Sequence, residues 1–179
     1  AVAQRQKTRL ASLLRAAQGS AYYLARWRAA GLDPADPRLA LEDLPVVDKH
    51  GLMPHFDDWV TDPELRLRGV KDFLASPDRI AEPYLGRYQI WESSGTTGSP
   101  GYFVQDAQTL AVYDALEALR RDSPRPLLRW MDPWFTSERL AFVGALGGHF
   151  ASYVSMQRLQ ALNPMMARAL RNFSILDPQ

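Results

Sequence analysis

The sequence predicts an α/β fold: a helical N-terminal third packed on a core of alternating strands and helices. Three observations predict it. Residues 1–86 carry apolar residues at helical spacing, interrupted by Gly, Pro and Asp punctuation. From residue 87 onward, short aromatic and β-branched runs alternate with helical stretches, the pattern of layered α/β structure. At 46% hydrophobic and 11% aromatic, 179 residues suffice to bury a core.

The elements follow in order. Gln4–Gln18 reads as an amphipathic helix, with Leu10, Leu13, Leu14 and Ala17 at i, i+3, i+4 and i+7. Gly19 ends it, Ser20 caps a second helix over Ala21–Ala30, and Gly31 stops that one. Asp33-Pro34-Ala35-Asp36-Pro37 is a turn cluster. Asp48 caps a short helix toward Met53, which Pro54 is expected to end. Asp62-Pro63-Glu64 has the form of a helix start, and Ser76-Pro77-Asp78 opens another short element. Strands are expected at Arg87–Glu92 and Tyr102–Gln105. Asp106 caps a helix over Ala107–Arg121, with Leu110, Tyr113, Leu116 and Leu119 as its buried stripe. Leu127–Met131, Leu140–Val143 and Phe173–Leu176 read as further strands. Leu140–Gln157 has no Asp, Glu, Lys or Arg, but its glycines, serines and His149 favour a buried strand and following helix over a membrane span.

Between the strands at 87–92 and 102–105 lies Ser93-Ser94-Gly95-Thr96-Thr97-Gly98-Ser99-Pro100-Gly101. Every residue from Ser93 to Ser99 is a glycine or a hydroxyl side chain. Glycines let successive N–H groups point into one concavity, which favours anions, and hydroxyls add donors. The chemistry suits polyphosphate. The loop has no Gly-Lys-Ser/Thr ending and is followed by a strand, so it is not a Walker loop. It also lacks the dinucleotide fingerprint spacing. Runs of this composition also serve as plain linkers or hairpin turns.

The full string Ser-Ser-Gly-Thr-Thr-Gly-x-Pro resembles the phosphate loop of the adenylate-forming superfamily, which includes acyl- and aryl-CoA ligases. Weaker pieces resemble its phenylacetate–CoA ligase-like branch. They are Ser20-Ala21-Tyr22-Tyr23 with Ala30-Gly31-Leu32, Leu44-Pro45-Val46-Val47-Asp48-Lys49, and Gly147-Gly148-His149-Phe150. They run in the family's order over nearly the whole chain. Gly101 stands where many superfamily members carry lysine, a position at which this branch tolerates other residues.

The resemblance implies ATP-dependent activation of a carboxylic acid through an acyl-adenylate, then thioester formation with coenzyme A. ATP, Mg²⁺ and coenzyme A are the implied cofactors and co-substrate. Ser93, Ser94, Gly95, Thr96, Thr97 and Gly98 would hold the ATP phosphates. Direct contacts would fall to Ser94, Thr96 and Thr97, and backbone shape to Gly95 and Gly98. Gly148, His149 and Phe150 would border the acyl-substrate pocket. The substrate would be a small carboxylic acid, aromatic by analogy with the branch. The family's later acidic, ribose-binding and lysine motifs have no counterpart before Gln179. The chain is therefore expected to be the first part of a longer enzyme, one incomplete domain, and inactive alone. A non-catalytic nucleotide-binding module and a structural relic are the alternatives.

The remaining residues mostly exclude. A formal charge of +1 gives no reason to expect nucleic acid. Zero cysteines exclude a disulfide framework and thiolate chemistry, and accord with the expected cytoplasmic location. No acid precedes Asp33, while Arg5, Lys7, Arg9, Arg15, Arg26 and Arg28 do, which reads as a basic solvent face rather than a transit peptide. Asp57, Asp58 and Asp62, like His50 and His55, have poor ligand spacing, so no metal site is expected. His149 taken alone reads as a packed structural histidine. Trp130, Trp134 and Phe135 would line an aromatic pocket or the core. Neither membrane nor nucleic acid is an expected partner, and a homodimer is compatible with the sequence.

Overall fold

In the computed structural model, residues 1–93, 100–120, 130–131, 140–144, 146, 148–162, 164 and 170–174 are described. They show a mixed fold of helix and strand, divided into two units, Ala1–Val70 and Lys71–Gln179.

The first unit is helical because its polar residues close helix ends and turns locally. Helix α1 spans Val2–Ala17 and buries only Leu14 fully. Helix α2 spans Ala21–Ala29; the Tyr23 N–H donates to Ser20 Oγ at 3.3 Å. Gly31 leaves it at φ +67°, a conformation that costs glycine little. Asp33 and Asp36 then each accept the N–H two residues on, Ala35 and Arg38, at 2.9 Å. Helix α3, Lys49–Leu52, is capped by Asp48, whose carboxylate accepts from the Gly51 N–H at 2.8 Å.

Helix α3 ends at Leu52, ahead of Pro54 as expected. The chain stays helical beyond it: Pro54 sits in the first positions of a 3-10 turn, Met53–His55, where a missing N–H costs nothing, and helix α4, Phe56–Trp59, follows. The boundary at Asp62 differs from the sequence expectation: Asp62 does not start a helix. Its carboxylate accepts the Glu64 N–H at 2.9 Å in a turn. Helix α5 begins later and spans Leu67–Leu74. The Leu67 N–H donates to Asp57 at 2.7 Å, so an acid ten residues upstream closes that end. The core of this unit includes Leu14, Trp27, Phe56, Leu65 and Val70, with Ser20 fully buried among them.

The second unit opens with a 3-10 turn, Pro77–Arg79, and a tight turn at Tyr84–Tyr88. The Arg87 N–H donates to the Tyr84 carbonyl across Leu85 and Gly86, at φ +53° and +69°. That turn occupies Arg87 and Tyr88, so strand β1 starts at Gln89 and runs to Glu92. It pairs antiparallel with β2, Tyr102–Gln105, in the register Gln89 to Gln105 and Glu92 to Tyr102. Helix α6, Ala107–Arg120, is capped by Asp106, which accepts from the Thr109 N–H at 2.7 Å. Strand β3, Leu140–Gly144, pairs in parallel with β4, Leu170–Ser174. Helix α7, Ala151–Leu162, lies between them in sequence.

Three expectations are corrected here. The inward line of α6 is Leu110, Asp114 and Glu117, not the leucine stripe. Tyr113, Leu116 and Leu119 are 40%, 51% and 80% exposed, while Asp114 pairs with Arg158 of α7. Strand β3 is half-buried rather than buried, with Ala141 and Val143 outward and Phe142 inward. Trp130 and Met131 are helical and 84% and 73% exposed, so Trp130 is no core residue. Leu127, Leu128 and Arg129, Trp134, Phe135, and Ile175 and Leu176 lie outside the described residues.

Candidate functional site

The ends of the Ser/Thr/Gly loop are held by the β1–β2 ladder. Glu92 and Tyr102 form its last pair. One residue further, the Ser93 N–H donates to the Gly101 carbonyl at 2.9 Å. The Gly101 N–H returns a hydrogen bond to Ser93 Oγ at 2.7 Å. Gly101 is buried, so this pairing satisfies main-chain groups that water does not reach. A serine hydroxyl is short enough to substitute for a backbone acceptor where a ladder opens into a loop. Ser94, Gly95, Thr96, Thr97, Gly98 and Ser99 lie outside the described residues.

The other edge of β1 receives a segment distant in sequence. The Glu92 N–H donates to the His149 carbonyl at 2.8 Å, and Glu92 and Phe150 form a parallel bridge. Gly148, His149 and Phe150 therefore meet the chain one residue before Ser93. A Cβ at Gly148 would lie 2.9 Å from the Phe150 ring, so a larger residue there would have to displace that ring. The Phe150 carbonyl accepts the Val154 N–H at 2.9 Å, which starts α7.

The His149 ring is 2% exposed. Its Nε2 lies 3.4 Å from the Ser76 carbonyl, and its centroid 5.5 Å from that of Phe73. A carbonyl only accepts, so Nε2 carries the proton in this contact. Phe73 also meets Tyr84 edge-on at 5.2 Å and lies under the Arg79 guanidinium at 4.4 Å. The imidazole is thus engaged on the 73–84 side of the unit.

Tyr102, across from Glu92, is 8% exposed. Burial first, then the Glu92 charge, pushes its phenol above the ordinary value. Lys71 Nζ sits 6.0 Å from the centre of its ring.

Two features were not singled out from the sequence. Trp91 precedes Ser93 by two positions and meets the Tyr113 ring edge-on at 5.3 Å. Its indole N–H is buried and has no hydrogen-bond partner among the described residues. The second feature is the two-bonded ion pair of Asp114 and Arg158, at 2.6 and 2.9 Å, which ties α6 to α7. Hydrogen bonding to Arg158 holds the Asp114 carboxyl below its usual range, against a smaller opposing effect of burial. Strand alternation places Trp91 in a pair with Phe103, a signal available in the sequence. The partner of Asp114 is 44 residues away and has no local signature.

The dismissed acids and histidines have other roles. Asp57 closes α5, Asp62 closes a turn, and His55 lies 5.5 Å from the Tyr22 ring. Among the described residues, no three His, Cys, Asp or Glu side chains group to hold a metal ion. No helix among them is long and apolar enough to cross a membrane. Comparison with protein-family models, with curated proteins and with solved structures found no match.

Proposed function

We propose that this chain forms the phosphate-holding part of an enzyme that activates a carboxylic acid with MgATP and passes the acyl group to coenzyme A. The observation that carries the reading is the junction at Glu92 and Ser93. A Ser/Thr/Gly loop of polyphosphate-binding composition rises from a stem closed by two hydrogen bonds. Beside that stem, Glu92 hydrogen-bonds the Gly148–Phe150 segment that resembles the border of an acyl pocket. Two segments chosen separately by resemblance are thereby neighbours.

In this reading MgATP and the acid are substrates. A carboxylate oxygen attacks the α-phosphorus, the bond to the bridging oxygen breaks, and pyrophosphate leaves with the electron pair. The thiol of coenzyme A then attacks the acyl carbon and AMP departs. Protein groups need only align the reactants and neutralise charge that grows on pyrophosphate. Ser94, Thr96 and Thr97 supply hydroxyl donors to the β- and γ-phosphates, and Gly95 and Gly98 supply N–H groups. The acid is small and, by analogy with the phenylacetate–CoA ligase-like branch, aromatic.

Equilibrium dialysis of MgATP against this chain, and pyrophosphate exchange by the whole protein that carries it, test the reading. Gly98→Val is expected to abolish MgATP binding and exchange at an unchanged melting temperature. A Gly98→Val protein with wild-type KM for ATP and kcat sinks the loop assignment. ATP binding without exchange in the whole protein favours a non-catalytic nucleotide module.

A further inference from the structure

The geometry points to Ser93 as a positioning residue that clamps the mouth of the loop, rather than as a phosphate contact. The inference rests on the proposed MgATP reading for its functional meaning, but its structural content stands apart from it. Ser93 directs two groups at one residue. Its N–H donates to the Gly101 carbonyl at 2.9 Å, and its Oγ accepts the Gly101 N–H at 2.7 Å. Both main-chain polar groups of buried Gly101 are satisfied by Ser93.

The stem is immobilised on its far side as well. Glu92 is paired with Tyr102 across the ladder and hydrogen-bonded to His149 at the other edge. Ser93 and Gly101 therefore stand at the two ends of the loop segment, joined to each other. The separation of these two residues sets the span the loop must close. Donors converge on a polyphosphate only when that span is held, since each misplaced donor loses most of its interaction. Removing Oγ leaves the buried Gly101 N–H without a partner and lets the mouth widen.

The test uses Ser93→Ala, Ser93→Thr and Ser93→Val in the full chain. Thr and Val have nearly the same shape and differ in the hydroxyl. Amide exchange at Gly101, read by NMR without nucleotide, is expected to accelerate at least about tenfold in Ser93→Ala and Ser93→Val. It should return to the wild-type rate in Ser93→Thr. MgATP affinity by equilibrium dialysis should follow the same order, weakened about tenfold or more without the hydroxyl and restored by Thr.

Unchanged Gly101 exchange in Ser93→Val overturns the clamp, whatever happens to MgATP. Accelerated exchange with unchanged MgATP affinity overturns the positioning role. If the wild-type chain binds no MgATP, the activation reading of the isolated chain fails. The clamp is then upheld by accelerated exchange in Ser93→Val with rescue in Ser93→Thr, and overturned without it. Should Ser93→Ala fail to fold, the Thr and Val pair decides.

Discussion

The two units of this protein close their polar backbone by different means. In residues 1–70 most such partners are close in sequence: Ser20 with Tyr23, Asp33 with Ala35, Asp36 with Arg38, Asp48 with Gly51, Asp62 with Glu64. In the second unit the decisive joints are distant. Glu92 meets His149, Asp114 meets Arg158, and β3 pairs with β4 across α7. Short-range capping fixes few dihedrals per hydrogen bond, so it forms wherever the residue type is right. A long-range joint has to offset the loss of freedom of the chain it closes, so it depends on packing around it. The candidate site belongs to the second kind.

The largest effect expected of a single change that tests this contrast is at Ser20. It is fully buried, caps Tyr23, and donates from its hydroxyl to the Asp58 carbonyl at 3.1 Å. Ser20→Ala should cost about 2 kcal/mol, as a lost cap plus the lost hydrogen bond to the Asp58 carbonyl. Urea unfolding followed by circular dichroism measures it. A shift under about 0.5 kcal/mol would mean that local caps carry little of the stability of residues 1–70.

A gain is expected at Leu85, which is 45% exposed at φ +53°. With Gly86 it forms the two central positions of a turn that prefers Asn-Gly. Leu85→Asn should raise stability by about 1 kcal/mol, visible as a higher melting temperature. No rise would mean that packing of Leu85 offsets its backbone strain.

The smallest effect sharpens the comparison at a long-range joint. The Asp114 and Arg158 side chains are 37% and 18% exposed, so their ion pair is partly screened. Asp114→Asn should cost under about 1 kcal/mol at neutral pH. The direction with pH follows from the lowered carboxyl. Stability from the pair is complete above the unfolded Asp value of about 3.9 and is lost as pH falls through the folded value. Unfolding measured from pH 6 to pH 2 should show a shallower acid slope in Asp114→Asn than in wild type. Equal slopes would mean that this carboxyl titrates alike in the folded and unfolded chain.

The same contrast explains what could be read from the sequence. Ser20, Asp48 and Asp106 announced their helices because a cap acts three residues away. The Asp62 reading missed because the acid that closes α5 is Asp57, ten residues upstream. The stripe of α6 missed because leucines at helical spacing outweighed Asp114, whose partner Arg158 lies on another helix, 44 residues away. The loop's Ser, Thr and Gly content and its place between two strands could be read from the sequence. Its clamp was legible only in part. Ser93 read as one of the loop's hydroxyl donors to phosphate, not as the partner of Gly101.

Residue type and spacing alone set the helix starts at Ser20, Asp48 and Asp106, the strand pair β1–β2, the glycine stop at Gly31 and the hydroxyl and glycine content of the loop. Each rests on residue type and spacing over a few positions, where sterics and short hydrogen bonds dominate. Tertiary structure alone decided that His149 faces Ser76 and Phe73, and that Gly148–Phe150 joins the loop stem at Glu92. It also turned Asp114 inward in place of Leu116. These outcomes depend on which distant surfaces are buried together, and burial is a property of the assembled chain.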